Sequence, residues 1–214
     1  MKNVFFKPFV GNNYHNGIKG KKILVLGESH YCEGIRYENY SCKKTEKCLQ
    51  HAKCQNFTND VMARFFDYKK GNGEKETWMP TFTRFTNVFY GKRVNNEELL
   101  DFWNSVMFYN YVQKSVMEGS RTTPPEQDFV DSQKAFREIL EEYKPDLIIV
   151  WGVRLWDRFP DIIDLKSLKT NPNEMFGYYK MNDKKIFVYA VYHPSVPSFT
   201  YDFHEYLQEL LQLV

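Results

Sequence analysis

Four short apolar runs divide the chain. Ile23–Leu26 (Ile-Leu-Val-Leu) ends at Gly27, and Met107–Val112 reads Met-Phe-Tyr-Asn-Tyr-Val. Asp146–Val150 reads Asp-Leu-Ile-Ile-Val ahead of Trp151-Gly152, and Lys185–Tyr192 leads into His193-Pro194-Ser195. Uninterrupted apolar runs of this length predict strands covered on both faces. Helical periods lie between them. Thr58 offers an N-cap and Asp60 suits the first turn of a helix carrying Val61, Met62, Phe65 and Phe66. Asn96 caps a second, with Glu97 and Glu98 in its first turn and a stripe of Leu99, Leu100, Phe102, Trp103 and Val106. A strong helix runs from about Glu126 to Tyr143 after Thr122–Pro125, another begins near Val153, and Tyr201–Leu213 closes the chain. Trp78–Tyr90, aromatic, Thr-rich and interrupted by Pro80, fits neither period. Strands alternating with helices predict an α/β fold: a three-layer α/β/α sandwich around a central, mainly parallel four-stranded sheet. No linker or repeat divides the chain, so residues 1–214 read as one domain, with an irregular arm at Met1–Gly20 and a Cys-bearing loop insertion at about 32–56.

In open parallel sheets, ligands bind beyond the carboxyl ends of the strands. Glu28-Ser29-His30-Tyr31 follows the first strand directly, a polar cluster that a core would not choose. Asn110 lies near the end of the second strand, Gly152 follows the third and His193 the fourth. A parallel sheet gathers all of these on one edge. The adjacent Ser29 and His30 invite a Ser-His hydrolase reading, but neighbouring side chains diverge and no G-x-S-x-G elbow is present.

Composition narrows this little. With 18 Phe, 15 Tyr and 4 Trp the chain is rich in aromatics, whose ordinary place is the core and whose stacking on bases must be argued from position. A net charge of +2 selects no class of partner. Met1–Val10 has no apolar stretch fit for a signal peptide or a membrane span, which predicts a cytoplasmic protein with reduced thiols and no membrane partner. All four cysteines, Cys32, Cys42, Cys48 and Cys54, fall in the one insertion. Their clustering suggests a structural zinc site, with His51 as a substitute ligand; reduced structural thiols are the alternative. The C-x9-C-x5-C-x5-C spacing lacks the C-x2-C knuckle and fits an iron–sulfur cluster less well.

Taken together, the motifs resemble the uracil-DNA glycosylase superfamily. Gly27-Glu28-Ser29-His30-Tyr31 is similar to its first loop, and Phe85-Thr86-Asn87-Val88-Phe89-Tyr90 to its Ser-Leu-x-Asn-Ile-Tyr stretch. Met107–Val112 resembles the strand that delivers a base-reading Asn, Leu147–Gly152 the apolar strand ending in Trp-Gly, and His193-Pro194-Ser195 the closing His-Pro-Ser motif. They occur in the family's order from about Lys21 to the C-terminus. The resemblance implies a monomeric enzyme acting on single- or double-stranded DNA, with no cofactor for catalysis, which flips a uracil or related damaged base and hydrolyses its bond to the sugar. It implies Glu28 and His193 as catalytic residues, and Gly27, Ser29, His30, Tyr31, Asn110 and Phe82 or Phe85 around the base. Ser195, Ser198 and Phe199 would meet DNA, Phe199 as an intercalating wedge. Ser29 stands where the best-known branch has a water-orienting Asp, which leaves Glu28 as the carboxylate, and His30 replaces the usual Pro. The alternative expectation is a catalytically inactive nucleic-acid or nucleotide-binding module on the same fold.

Overall fold

The computed structural model describes residues 1–32, 36–37, 40–41, 50–116, 122–160, 166–171, 175–181 and 183–214. In chain order the elements are β1 (Phe9–Val10), β2 (Ile23–Gly27), β3 (Arg36–Tyr37), β4 (Tyr40–Ser41), α1 (Phe57–Lys69), α2 (Met79–Tyr90), α3 (Asn96–Asn104) and β5 (Met107–Asn110). They continue with α4 (Glu126–Tyr143), β6 (Leu147–Trp151), α5 (Val153–Asp157), β7 (Lys166–Asn171), β8 (Phe176–Met181), β9 (Lys184–Val191) and α6 (Phe203–Leu213). One mixed sheet has the order β1-β5-β2-β6-β9-β8-β7, while β3 and β4 pair separately.

The four expected strands are its centre, and β5, β2, β6 and β9 are mutually parallel. The expected size of the sheet needs correction. It carries antiparallel additions: β8 and β7 beyond β9, and the two-residue β1 beyond β5. Among the described residues the sheet therefore has seven strands, not four.

Alternation along the central strands explains their unbroken apolar character. Ile23 and Val25 face one core with Phe108, Ile149 and Trp151, and helices α1, α2, α3 and α6 close it with Phe65, Phe85, Trp103 and Leu207. Leu24 and Leu26 face the other with Tyr109, Ile148 and Val150, against Phe136 and Ile139 of α4 and Leu155 of α5. Apolar cores thus lie on both faces of the sheet.

Trp78–Tyr90, which fits neither period by pattern, forms α2. Pro80 sits in its first turn, where a missing N–H removes no helical hydrogen bond, and the aromatic positions face the core. Asn95 rather than Asn96 caps α3, in a reciprocal capping box with Glu98. Thr58 is not a cap either, because α1 begins one residue earlier and buries it. No described helix is long and apolar enough to cross a membrane.

Candidate functional site

The registers Gly27↔Asn110 and Trp151↔Val191 bring the strand ends to one edge, as parallel topology requires. The loop leaving β2 is stitched to the chain leaving β5. Tyr111 N–H donates to Gly27 O at 2.9 Å, Val112 N–H to Glu28 O at 2.8 Å, and Val116 N–H to His30 O at 2.8 Å. The approach explains the glycine, since a Cβ on Gly27 would lie 2.2 Å from Asn110 Oδ1.

Asn110, the last residue of β5, is 7% exposed. Its Nδ2 lies 3.1 Å from His30 Nδ1, and His30 Nε2 lies 2.9 Å from Thr58 Oγ1. The imidazole is 4% exposed and packs between Phe6 and Phe57, at centroid distances of 4.8 and 4.6 Å. Desolvation pushes its pKa down to about 3, so the ring is neutral. Gln113 donates from Nε2 to Asn110 O at 3.0 Å, and its Oε1 accepts from the Phe5 and Phe6 N–H groups at 2.9 and 3.0 Å. The N-terminal arm is therefore wired to the site.

Glu28 has a partner that sequence reasoning missed. Gly152 adopts φ +104° between β6 and α5, so the chain turns straight into a short helix that carries Arg154. Arg154 Nε donates to Glu28 Oε2 at 2.7 Å, its NH2 group donates to Oε1, and its other terminal nitrogen reaches Thr123 Oγ1 at 2.7 Å. The hydrogen bonds to Glu28 hold the guanidinium above its ordinary pKa, with Tyr31 adding to the effect. The Glu28 side chain is only 11% exposed. The one signal in the sequence was an Arg two residues past a Trp-Gly strand end.

His193 follows β9. Its Nδ1 accepts from the Ser195 N–H at 3.2 Å and lies 2.7 Å from Ser195 Oγ, so the neutral ring carries its proton on Nε2. Desolvation, followed by the positive charge of Arg154, lowers its pKa. Its ring meets Trp151 nearly at right angles, at 6.0 Å. Arg84 of α2 straps the following loop, donating to the carbonyls of Pro194, Val196, Pro197 and Phe199 at 3.2, 2.9, 3.1 and 2.6 Å.

Not every expected residue lies at this edge. Phe82 packs among Phe65, Trp103, Phe108 and Trp151, and Phe85 stacks with Phe199 beneath the sheet edge. All three, expected to stack on a base (Phe82 or Phe85) or to wedge into DNA (Phe199), are buried in the aromatic core of this structure. Their apolar area is worth more inside the aromatic cluster than at a wet rim. The exposed tip of that loop is instead Ser195–Ser198. Ser29 Oγ is buried and has no hydrogen-bond partner among the described residues. Cys32 is buried and Cys54 half-buried; Cys42 and Cys48 lie outside the described residues, within which no metal-ligating group of three assembles.

No family model matches the chain, and no curated protein is significantly similar to it.

Proposed function

We propose that this chain is a DNA base-excision glycosylase that hydrolyses the N-glycosidic bond of uracil or a related damaged base after flipping it out of the helix. One observation carries the reading: a salt-bridged carboxylate, Glu28, an amide acceptor, Asn110, and a histidine with its proton on Nε2, His193, stand at the ends of three parallel strands. The ordered motifs and the helices on both faces of the sheet support the three-layer fold of the uracil-DNA glycosylase superfamily.

The chemistry follows from charge. As the bond between C1′ and the base nitrogen breaks, its electron pair leaves with the base and the sugar becomes cationic. Glu28, gripped by Arg154, sets its carboxylate beside the cation and stabilises it. The Nε2–H of His193 donates to the oxygen on which the departing base gathers negative charge. Asn110 reads the base edge, a task that needs an amide's mixed donor and acceptor. Tyr31 shapes the mouth of the site. Water then adds through its oxygen to C1′, and the proton it loses ends on the departed base anion, which leaves as the neutral base.

A second reading has its own support. Arg154 already engages both Glu28 oxygens, and Ser29 supplies no second carboxylate, which suits a catalytically silent nucleic-acid or nucleotide-binding module. Incubating the protein with uracil-containing single- and double-stranded DNA and scoring abasic sites separates the two. Strand cleavage after alkali supports the enzyme, whereas retained DNA binding without abasic sites selects the silent module. A structural zinc on Cys32, Cys42, Cys48 and Cys54 is a companion proposal. Elemental analysis should find one zinc per chain; none leaves reduced thiols, and a visible absorbance band means a cluster.

A further inference from the structure

We propose that His30 is a positioning residue that fixes the Asn110 amide with its oxygen toward the base, and so favours bases presenting a ring N–H there over bases presenting a ring acceptor. The inference rests on the reading of Asn110 as the base-contacting residue. It adds what sets the selectivity of that contact.

Asn110 Nδ2 lies within reach of both ring nitrogens of His30, Nδ1 at 3.1 Å and Nε2 at 3.3 Å, but Nε2 has a nearer partner in Thr58 Oγ1 at 2.9 Å, which leaves Nδ1 to face the amide. An amide nitrogen only donates, so the ring nitrogen facing Asn110 Nδ2 at 3.1 Å must offer a lone pair. That nitrogen is Nδ1. The ring proton then sits on Nε2 and is donated to Thr58 Oγ1, 2.9 Å away. The other tautomer would aim an N–H at an NH2 group inside a buried, apolar cage, where unmatched donors are costly. Burial also keeps the ring neutral.

With Nδ2 turned to His30, Oδ1 lies on the opposite side of the amide. It leans over Gly27, 2.2 Å from where a Cβ would stand, and no donor among the described residues meets it. The backbone of Asn110 is fixed as well, by Gln113 and, through it, by the N-terminal arm. An amide free to turn over could read uracil or cytosine equally well. Held by His30, it offers an acceptor that pairs with the N3–H of uracil and opposes the N3 lone pair of cytosine. Holding one amide orientation is thus selection by penalty on the wrong base.

Two measurements on the full chain test this. Nitrogen-15 NMR of the wild type reports the ring directly: at neutral pH Nδ1 of His30 should be unprotonated and Nε2 protonated. A protonated Nδ1 means that Asn110 turns its oxygen to the ring, and overturns the proposal whatever the protein's activity. Single-turnover excision from DNA carrying uracil or cytosine at one position reports the consequence. His30→Leu should lower the uracil-over-cytosine ratio by roughly 10- to 100-fold, and His30→Gln, which can accept and donate, should restore part of it. An unchanged ratio in folded His30→Leu rejects the role. Should wild type excise neither base, the glycosylase reading fails, while the ring tautomer still decides what His30 does to Asn110.

Discussion

Arg154 meets Glu28 edge-on: its Nε donates to Oε2 at 2.7 Å and its NH2 group to Oε1, so the carboxylate at the end of β2 is gripped by a planar fork from the start of α5. The pairing ties two parallel strand ends together and fixes the charge at the candidate site. A lysine cannot reproduce the fork, because its ammonium is a point charge without paired parallel donors. Arg154→Gln should therefore destabilise the fold by about 1–3 kcal/mol through a half-buried, unpaired carboxylate. Arg154→Lys should restore stability in part, and urea denaturation of the two variants beside wild type checks the order.

The same substitution should move a pH profile. The positive charge of Arg154 lowers the pKa of His193, second to desolvation. Removing that charge lets the pKa rise, so protonated, inactive His193 persists to higher pH. The acid limb of kcat/KM in Arg154→Gln should shift toward neutrality relative to wild type. A limb that stays in place, or moves to lower pH, would show that the two side chains are not coupled in the active protein.

Much of this arrangement is legible in the sequence, and what is not has physical reasons. The unbroken apolar runs at Ile23–Leu26 and Leu147–Val150 identify strands covered on both faces, and parallel topology alone places Glu28, Asn110 and His193 on one edge. The added strands were invisible: Lys166–Asn171 reads Lys-Ser-Leu-Lys-Thr-Asn, without the apolar run that marks a buried strand. Arg154 and Arg84 were missed because each acts on a segment far away in sequence, which no local period encodes. Thr58 looked like a helix cap because its hydroxyl suits one; the fold uses that hydroxyl on His30 instead. Motif position puts Phe82 or Phe85 at the base and Phe199 in the DNA as a wedge, whereas tertiary packing buries all three in the aromatic core.

Arg84 offers a test of preorganisation. Its guanidinium satisfies four carbonyls of the loop that follows His193. Arg84→Ala leaves that loop without its internal strap, and hydrogen bonds to a charged donor contribute about 1.5–3 kcal/mol. Excision by Arg84→Ala should fall through kcat with little change in affinity for a free base, and residues 194–199 should lose protection in hydrogen exchange. Wild-type protection in the variant would rule out the strap.

Acid should weaken the fold through His30. Its folded pKa of about 3 lies below the ordinary value of 6.5, so between these values the unfolded chain binds a proton that the folded chain excludes. Stability is fully present above the unfolded pKa and is lost as pH falls toward the folded one, by at most about 1.4 kcal/mol per pH unit. Wild type should lose more stability between pH 7 and about pH 4.5 than His30→Gln, which has no proton to exclude. Chemical denaturation of both at the two pH values gives the comparison, and equal losses would place the acid sensitivity elsewhere.

The central claim, that Glu28 and His193 hydrolyse a base–sugar bond, is tested most directly by single-turnover excision from uracil-containing DNA with wild type, Glu28→Gln and His193→Ala, with DNA affinity measured on the same preparations. The account predicts abasic sites with wild type, and in each variant a turnover lowered far more than binding. Wild type that binds the DNA yet leaves every uracil in place, or variants that excise as fast as wild type, would contradict it.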